Sequence, residues 1–358
     1  MKIQHLIHTP RYSGAEILVA SLTLAHKKLG HFSNVTSFAP AEPDFEKIIK
    51  EQRENGIEWN TPSAALKGTS RIAHYYRAEK AFKPDIIFAH SVIPAAYARA
   101  GLLDKIISVL HAEDNYPGGT LAAAEYLLQF RSKGIIHISP LAGSLYSQKY
   151  KSPPIQCIPN GINLAAVNEA SSERNNSRAQ FGFCERARIF IQAGRICRIK
   201  GQHHSLLAIA PILRLNPDAH FLLAGLIEDH HYQKELEEIC RLEGIEGKVI
   251  FLGPRDDIPA LLHASDIFVM PSKQEAQGIA LVEALAAGLP IVASDINGFQ
   301  FARDFDGVRL VDTTNKSDFL TAINELSTTP LRYSRNLTKY DIQDTASAYI
   351  EFAKKCIY

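Results

Sequence analysis

The chain of 358 residues is long enough for two domains of ordinary size, and 46% of its residues are hydrophobic, which is ample for two cores. Lys and Arg number 39 against 38 Asp and Glu, a balance that argues against a nucleic-acid-binding protein. Five scattered cysteines form no C-x-x-C pair, which argues against a zinc site and for a reducing compartment. No apolar run approaches the roughly 20 residues of a membrane span and MKIQHLIHTP lacks the features of a signal peptide, so we expect a cytoplasmic protein.

The charge is unevenly distributed along the chain. Met1–Ala165 carries 18 Lys and Arg against 13 Asp and Glu, a net charge of +5, which leaves −4 for the remainder. A basic first half would favour an anionic acceptor or a membrane surface, and solvated surfaces would explain it equally well. Basic and aromatic residues are also interleaved in Ala64–Lys83. This segment is either a helix that faces a membrane or an acceptor, or a surface helix with one buried face.

Short apolar runs alternate with helical stretches along the whole chain, which predicts parallel sheets in an α/β protein. Strands in the first half are predicted near Ile3–Ile7, Ser33–Phe38, Ile57–Trp59, Asp85–His90, Ile106–Leu110, Gly134–Ser139 and Ile155–Ile158. Strands in the second half are predicted near Arg188–Gln192, His220–Ala224, Lys248–Leu252, Asp266–Met270, Pro290–Ala293 and Val308–Val311. Two such series predict two doubly wound domains. The polar run SSERNNSR within Leu164–Glu185 has the composition of a linker between them.

Several strands of the first half are followed by a glycine or by polar residues. Gly14 lies between the first strand and the first helix, where a residue without a side chain lets the backbone approach a ligand. His90 and His111 each end a strand, and the carboxyl ends of parallel strands line the ligand crevice of such a sheet. Glu113 and Asp114 follow His111 on a loop. These residues are therefore candidates for a binding site.

Two basic residues follow the first strand of the second half. That strand ends at Gly194, and Arg195 and Lys200 precede the next helix. Cations in this position could bind an anionic ligand at the end of the strand, and exposed basic residues on a turn are the alternative explanation. Gly253 and Arg255 lie at the end of another strand.

The most informative stretch is Asp266–Gly298, which predicts a strand, a polar loop, a helix and a second strand. Glu275 and Glu283 bracket the loop and the helix. On a continuous helix they would lie roughly 12 Å apart, which exceeds the roughly 5–9.5 Å of a glycosidase acid/base pair and suits one extended ligand held at two places. Free backbone N–H groups near Gly278 and Ile279 would favour a phosphate between the two carboxylates.

This stretch resembles the signature of a known family, the family-4 glycosyltransferases, which are retaining enzymes of the GT-B fold that use nucleotide sugars. The matching residues are Glu275, Gly278, Glu283, Ala284, Gly288 and Pro290. The resemblance implies an α/β GT-B fold with two Rossmann-like, doubly wound domains that face a cleft. It implies an acceptor-binding domain at residues 1–165, a nucleotide-sugar-binding domain at residues 166–338, and a C-terminal helix at residues 339–358 that returns to the first domain.

The resemblance also implies roles for the candidate residues. Glu275 would bind the hydroxyls of the donor sugar and Glu283 those of the ribose. The catalytic residues would be His111 near the donor sugar, Arg195 and Lys200 on the diphosphate, and Glu275. Further residues implied to bind the donor are Gly14, Gly253, Arg255, Gln277, Gly278, Ile279 and Ala280. Residues implied on the acceptor side are His90, Glu113 and Asp114.

The implied activity is retaining transfer of a hexose from a nucleotide sugar, with UDP the commonest nucleotide of the family. The acceptor would be a glycan or a lipid-linked glycan in bacterial cell-surface polysaccharide or lipopolysaccharide synthesis. Neither a cofactor nor a metal is expected, and the paired histidines at 203–204 and 230–231 have no third ligand at a sensible spacing. Gln277 stands where the family commonly has Phe, which leaves the preference for the donor sugar open.

Three alternative functions are compatible with an α/β chain of this kind. A dehydrogenase would share the α/β pattern, but the chain contains no G-x-G-x-x-G motif and no P-loop. A sugar-nucleotide epimerase on the same fold would need no acceptor. A non-catalytic nucleotide-sugar-binding protein would keep the site without turnover. The sequence decides neither the acceptor, the linkage nor the oligomeric state.

Overall fold

The structure is a computed structural model that describes residues 1–101, 103–116, 118–151, 153–327 and 332–357. The chain forms two compact units. The first consists of Met1–Ile162 together with Lys339–Tyr358, and the second is the continuous segment Asn163–Thr338. Each unit is an α/β structure built on one parallel sheet.

The sheet of the first unit has seven parallel strands. They are β1 (Lys2–Ile7), β2 (Phe32–Ser37), β3 (Glu58–Asn60), β4 (Ile86–His90), β5 (Ile106–Leu110), β6 (Gly134–His137) and β7 (Ile155–Cys157). Their order is β3-β2-β1-β4-β5-β6-β7, so that the direction of winding reverses between β1 and β4. Ligands of open parallel sheets bind at the carboxyl ends of the strands beside such a reversal. All seven strands predicted from the sequence are confirmed, with bounds shifted by two residues at most.

Helices connect these strands and cover both faces of the sheet. The α-helices within Met1–Ile162 are α1 (Gly14–Lys28), α2 (Glu46–Glu54), α3 (Thr69–Phe82), α4 (Val92–Ala100), α5 (Gly119–Leu128) and α6 (Pro140–Lys149). α3 buries Tyr75, whose ring stacks on Phe38 with 4.1 Å between centroids and whose hydroxyl donates to the carbonyl oxygen of Ile7 over 2.9 Å. The segment Ala64–Lys83 therefore contains a surface helix with one buried face.

The second unit repeats the architecture with six strands. They are β8 (Arg188–Ala193), β9 (Ala219–Ala224), β10 (Val249–Gly253), β11 (Ile267–Met270), β12 (Ile291–Ser294) and β13 (Val308–Val311). Their order is β10-β9-β8-β11-β12-β13, all parallel, with the reversal between β8 and β11. The predicted strands of the second half are confirmed as well. Residues of β11 and β12 are buried throughout, as expected for strands covered on both faces.

The α-helices of the second unit occupy both faces of this sheet. Within the described residues they are α7 (Leu164–Glu169), α8 (Arg174–Gln180), α9 (Gln202–Leu215), α10 (His230–Leu242), α11 (Ile258–Ala264), α12 (Ile279–Ala286) and α13 (Lys316–Ser327). In the described part of the whole chain, no helix combines the length and apolar character needed to cross a bilayer.

The last helix, α14 (Ile342–Ile357), belongs to the first unit. Its first N–H group, on Ile342, donates to the carbonyl oxygen of Ile162 over 2.9 Å, and Tyr349 packs on Phe88 with 5.1 Å between ring centroids. Phe352 and Cys356 lie so close to Gly134 that a Cβ there would come within 2.8 Å of both. The implied return of a C-terminal helix to the first domain is confirmed.

The prediction of a linker at Leu164–Glu185 is wrong. This segment contains α7 and α8, which pack on α11. Arg174 and Arg178 turn inward to Asp266, with 2.6 Å between Arg174 Nη2 and Asp266 Oδ1. They also donate to backbone carbonyl groups at residues 263–265, near the end of α11. The polar composition of this segment therefore does not reflect exposure, because Arg178 is buried, Arg174 is partly buried, and both are hydrogen-bonded.

The contacts of Asp266 lead to a prediction about stability. Its side chain is 4% exposed, and it accepts bonds from both arginines and from the N–H group of Ile189. Asp266→Ala should lower the free energy of unfolding by about 3 kcal/mol, because it leaves the buried guanidinium group of Arg178 and the partly buried one of Arg174 without their counter-ion. Urea unfolding measures this change. The control is Glu238→Ala, which removes an exposed partner of Arg241 and should cost less than about 1 kcal/mol; equal losses in the two variants would contradict the prediction.

Candidate functional site

The strongest candidate residues lie at the carboxyl edge of the second sheet. Arg195 and Lys200 lie in the loop that joins β8 to α9, and Glu275 lies in the loop that joins β11 to α12. Because β8 and β11 are adjacent strands, the two loops are neighbours at the reversal of the winding. We call residues 194–201 the first donor loop and residues 271–278 the second donor loop, after the role that the family resemblance implies for them.

Lys200 and Glu275 form an ion pair, with Lys200 Nζ donating to Glu275 Oε1. Their side chains are 14% and 13% exposed, so the pair is largely shielded from water and still reachable from one side. Ser272 Oγ also donates to Glu275 Oε1 over 3.4 Å. The structure thus brings together the residues predicted to bind the diphosphate and the donor sugar.

Backbone contacts fix the distance between the two donor loops. The N–H group of Lys273 donates to the carbonyl oxygen of Ile199 over 2.8 Å. Gly201 has a φ of +67°, and a Cβ there would lie 2.2 Å from the carbonyl oxygen of Pro271. A Cβ on Gly298 would lie 1.9 Å from the carbonyl oxygen of Glu275. Only glycine fits at these two positions, which hold the second donor loop from both sides.

Two buried amide side chains support the first donor loop. Gln192 is 2% exposed at the end of β8, and its Nε2 donates to the carbonyl oxygen of Lys200 over 2.8 Å. Its Oε1 accepts a hydrogen bond from Ser205 Oγ over 2.8 Å. Gln202 Nε2 donates to the carbonyl oxygen of Arg195, also over 2.8 Å. Sequence reasoning missed both amides, although a glutamine in the otherwise apolar strand IFIQA was a usable signal.

The other cations of the first donor loop are also paired. Arg195 Nη1 contacts both carboxylate oxygens of Glu228, at 2.5 Å from Oε2. Arg198 Nη2 contacts the carboxylate of Glu235, at 2.5 Å from Oε1. Each guanidinium therefore already has a carboxylate partner, with which an anionic ligand would compete.

Arg255, predicted to bind the donor, is held on its own loop. Its guanidinium forms two parallel hydrogen bonds with the carboxylate of Asp257, at 2.8 and 2.5 Å, which raise the pKa of Arg255. Gly253 ends β10 with a φ of +66°. Among the described residues, neither is hydrogen-bonded to Lys200 or Glu275. The role of Gly253 and Arg255 in binding the donor therefore stays a prediction.

Glu283 lies half-buried on α12. Burial raises the pKa of its carboxyl group to about 7, and within the described residues it has no hydrogen bond or ion pair. Gly278 precedes α12 with a φ of +76°, so Ile279 and Ala280 form the first turn, where backbone N–H groups lack intrahelical acceptors. Gln277 is 3% exposed. This helix start can receive a phosphate and a hydroxyl-bearing group.

The remaining candidates belong to the first unit. Gly14 is the first residue of α1, and His90 and His111 lie at the carboxyl ends of β4 and β5, as predicted. His90 Nδ1 lies 2.9 Å from His111 Nε2. Glu113 and Asp114 line a small pocket on the loop that follows, where Asp114 pairs with Lys149 at 3.0 Å. The structure brings the two histidines together, and it places the two carboxylates beside the tyrosines Tyr116, Tyr146 and Tyr150.

Comparisons with known proteins agree along the chain. Residues 173–344 match the family model described as "Glycosyl transferases group 1", and residues 12–166 match the model "Glycosyltransferase Family 4". Together the two models span both units. The chain belongs to the family-4 glycosyltransferases.

Relatives of this glycosyltransferase include a UDP-Gal:alpha-D-GlcNAc-diphosphoundecaprenol alpha-1,3-galactosyltransferase from Escherichia coli, 26% identical over 72% of this chain and 70% of that protein. Two further curated glycosyltransferases are matched over less than half of their own length, 46% and 36%. The structure of Anabaena HepE in complex with UDP-glucose superposes with a TM-score of 0.80 at 20% identity, covering 99% of this chain and 100% of that one. WaaG, a glycosyltransferase involved in lipopolysaccharide biosynthesis, superposes with a TM-score of 0.71 at 19% identity, covering 99% and 98%.

Of the paired histidines, His230 and His231 are exposed, whereas His203 and His204 are partly buried and pack on each other. The described residues of the glycosyltransferase contain no group of three or more His, Cys, Asp or Glu side chains that could hold a metal ion. His203 Nδ1 lies 2.7 Å from the hydroxyl of Tyr232, and burial is the main cause that lowers the pKa of His203 to about 4.

The raised pKa of Glu283 predicts a pH-dependent change in stability. The ionised carboxylate is penalised in the folded protein and not in the unfolded one, so stability is lost as the pH rises from about 4.5 to about 7. Glu283→Gln should therefore raise the free energy of unfolding of the unliganded enzyme by about 2 kcal/mol at pH 8 and by less than about 1 kcal/mol at pH 5. Urea unfolding at both pH values tests this. Glu237→Gln, at an exposed position of α10, is the control and should show no such difference; a gain that is the same at both pH values would refute the assignment.

Proposed function

We propose that the protein is a retaining, metal-independent hexosyltransferase that moves a sugar from a UDP-sugar to a glycan or lipid-linked acceptor, in the synthesis of a bacterial cell-surface polysaccharide or lipopolysaccharide. The observation that carries the proposal is the shielded Lys200–Glu275 pair, beside Arg195 and the start of α12. This pair places a cation for the departing nucleotide in direct contact with a carboxylate for the sugar.

The first step of the proposed reaction is an exchange of partners. A donor diphosphate would take Lys200 from Glu275 and Arg195 from Glu228, and the N–H groups at the start of α12 would bind its remaining oxygens. Glu275, released from Lys200, would accept hydrogen bonds from sugar hydroxyls, and Glu283 would bind the ribose. Glu275 would thus gain hydroxyl donors in place of the ammonium group that it loses.

The second step is the transfer itself. As the bond between the sugar and the diphosphate breaks, negative charge grows on the leaving phosphate, and Lys200 and Arg195 stabilise it where a metal ion would otherwise be needed. The acceptor hydroxyl would attack from the same face of the sugar, and a phosphate oxygen of the donor would take its proton. This course retains the configuration of the sugar and requires neither a protein nucleophile nor a cofactor.

The choice of UDP and of a lipid-linked acceptor is supported by the relatives. The Escherichia coli relative is named for UDP-Gal and for a diphosphoundecaprenol-linked sugar, and the Anabaena structure contains UDP-glucose. An epimerase or a non-catalytic binding protein remains the second candidate. Its donor site would be the same, and its products would differ.

We also propose peripheral contact with the inner membrane, through α5 and not through α3. The only carboxylate of α5, Glu125, points inward, where it pairs with Arg99 at 2.9 Å and accepts from the hydroxyl of Tyr146 at 2.6 Å. The exposed side of the helix is apolar. Tyr126, Leu127 and the following Phe130 are 67%, 75% and 72% exposed. An amphipathic helix normally has the opposite arrangement.

Neighbouring charges favour an anionic lipid surface as the partner of this apolar face. Arg131 follows Phe130 directly, Lys133 lies two residues further along, and both are exposed. Apolar and aromatic side chains beside basic ones are the combination that binds the interface of an anionic membrane. A lipid-linked acceptor would be presented at the same surface.

The donor site predicts a defined product pattern. UDP-, GDP- and ADP-linked sugars would be incubated with the enzyme in EDTA, and NMR would follow slow hydrolysis of the donor. We expect one nucleotide and its free sugar, released with retention, and at least about a hundredfold slower release by Lys200→Ala, since a charged contact to the leaving group is lost. Lys316→Ala, at an exposed lysine of α13, is the control. An isomeric nucleotide sugar as product would establish the epimerase, and binding without turnover would establish the binding protein.

The apolar face of α5 predicts lipid binding. Leu127→Glu combined with Phe130→Glu should weaken co-sedimentation with vesicles of phosphatidylglycerol and phosphatidylethanolamine by about tenfold or more, because two partly inserted side chains are lost. The control combines Leu215→Glu with Leu242→Glu, at exposed leucines of the second unit that are 86% and 69% exposed. Equal loss of vesicle binding in the two double variants would reject α5 as a membrane contact. Concentration-dependent dimers of the wild type that only the Leu127→Glu, Phe130→Glu variant abolishes would instead assign this face to a second copy of the chain.

A further inference from the structure

Four histidines form a continuous chain through the interior of the first unit. They are His26 on α1, His5 on β1, His90 at the end of β4 and His111 directly after β5. The facing ring nitrogens are 3.4 Å apart between His26 and His5, 2.9 Å between His5 and His90, and 2.9 Å between His90 and His111. Because β1, β4 and β5 are neighbouring strands, the histidine chain runs across the first sheet to the carboxyl ends of β4 and β5.

All four imidazoles are neutral at physiological pH. Burial lowers the pKa of His26 to about 3 and that of His111 to about 4. Burial, together with the neighbouring histidines, also holds the pKa of His5 and the pKa of His90 well below the usual value. Each ring therefore carries one N–H group and one nitrogen lone pair.

Neutral rings in such a chain cannot choose their protons independently. His5 and His90 each use both ring nitrogens toward neighbouring histidines. Every junction needs one N–H group and one lone pair, so all protons in the chain must point the same way. Only two arrangements satisfy this condition: the protons point toward His111, or they point toward His26.

The far end of the chain favours the second arrangement. His26 and Ala346 are both fully buried where α14 packs on α1, and the backbone carbonyl group of Ala346 opposes the lowering of the His26 pKa by burial. Because His5 faces His26 Nδ1, Nε2 is the ring nitrogen left for this carbonyl group, although no hydrogen bond joins them. A carbonyl oxygen only accepts hydrogen bonds, and therefore favours an N–H group on His26 Nε2. His111 then donates from Nε2 to His90, and its Nδ1 carries the lone pair.

His111 Nδ1 is buried and has no hydrogen-bond partner among the described residues. A buried polar nitrogen without a partner costs folding free energy, which a ligand group can recover. We propose that His5 and His90 are positioning residues that fix the tautomer of His111, so that its Nδ1 accepts a hydrogen bond from a sugar hydroxyl of the substrate. The inference deepens the proposed function, and it rests on that function and on the position near the donor sugar that the family resemblance implies for His111.

The tautomers can be read directly in protein labelled with 15N-histidine, by long-range 1H–15N NMR at pH 7.5. We expect His111 in the wild type as the single tautomer protonated on Nε2. His5→Leu disconnects His26 from His90. The population of His111 protonated on Nδ1 should then rise about fivefold, the factor for one net hydrogen bond. His5→Gln, whose amide can donate and accept, should restore most of the wild-type tautomer.

Several results would overturn the inference. A wild-type spectrum in which His111 is protonated on Nδ1, or is a mixture, does so whether or not any variant folds. A folded His5→Leu protein with an unchanged His111 does so as well. The control is His137→Gln, which removes a buried histidine of β6 that bonds to the carbonyl oxygen of Ser139 at 2.7 Å and should leave His111 unaffected.

A kinetic measurement separates this inference from the proposed function. With a turned-over donor, His5→Leu should lower kcat about tenfold with KM for the donor nearly unchanged, because the contact that is lost acts on the reacting sugar. If a variant with an altered His111 tautomer transfers the sugar at the normal rate, the positioning role of the histidine chain is rejected and the proposed transferase activity is kept. If the tautomer of His111 shifts in His5→Leu but no sugar nucleotide is turned over, the proposed transferase activity is rejected and the coupling of the four histidines is kept.

Discussion

The candidate donor site depends on a close approach of two loops that only glycine permits. Gly201 and Gly298 place the backbone of the second donor loop between them, within distances that exclude any Cβ. Lys200 and Glu275 can meet only because these loops are in contact, and Gln192 donates a hydrogen bond to the carbonyl group of Lys200. The charged side chains that perform the proposed chemistry are thus positioned by uncharged backbone contacts, which a ligand does not disturb when it exchanges their partners.

The unliganded site satisfies its own charges. Lys200, Arg195 and Arg198 each contact a carboxylate, so that no buried or half-buried cation of the first donor loop lacks a counter-ion among the described residues. Such pairing keeps long side chains in place before a substrate arrives, and it sets a threshold of affinity that a weakly charged ligand does not reach. Glu283 differs, because its carboxylate is half-buried without a partner and destabilises the empty protein. Binding of a ribose would remove that penalty.

The strands could be predicted from sequence because residues covered on both faces must be apolar, and such runs stand out between polar turns. The error at Leu164–Glu185 has a clear cause. A polar run does not reveal whether its arginines face water or, like Arg178, are buried against carbonyl groups. The residue types of the donor site could likewise be predicted, whereas their pairing could not. His5 and His90 are 85 residues apart in sequence, and no local pattern indicates that their rings touch.

The position of α14 bears on the order in which the chain folds during synthesis. The core of the first unit includes Tyr349 and Phe352, which the ribosome adds almost 190 residues after Ile162, the end of that unit's main segment. Until then β6 and Phe88 lack part of their covering layer. The second unit is a single uninterrupted segment and can complete its core earlier. The domain that is synthesised first is therefore the last to be finished, and its uncovered face is the surface that chaperones would protect in the growing chain.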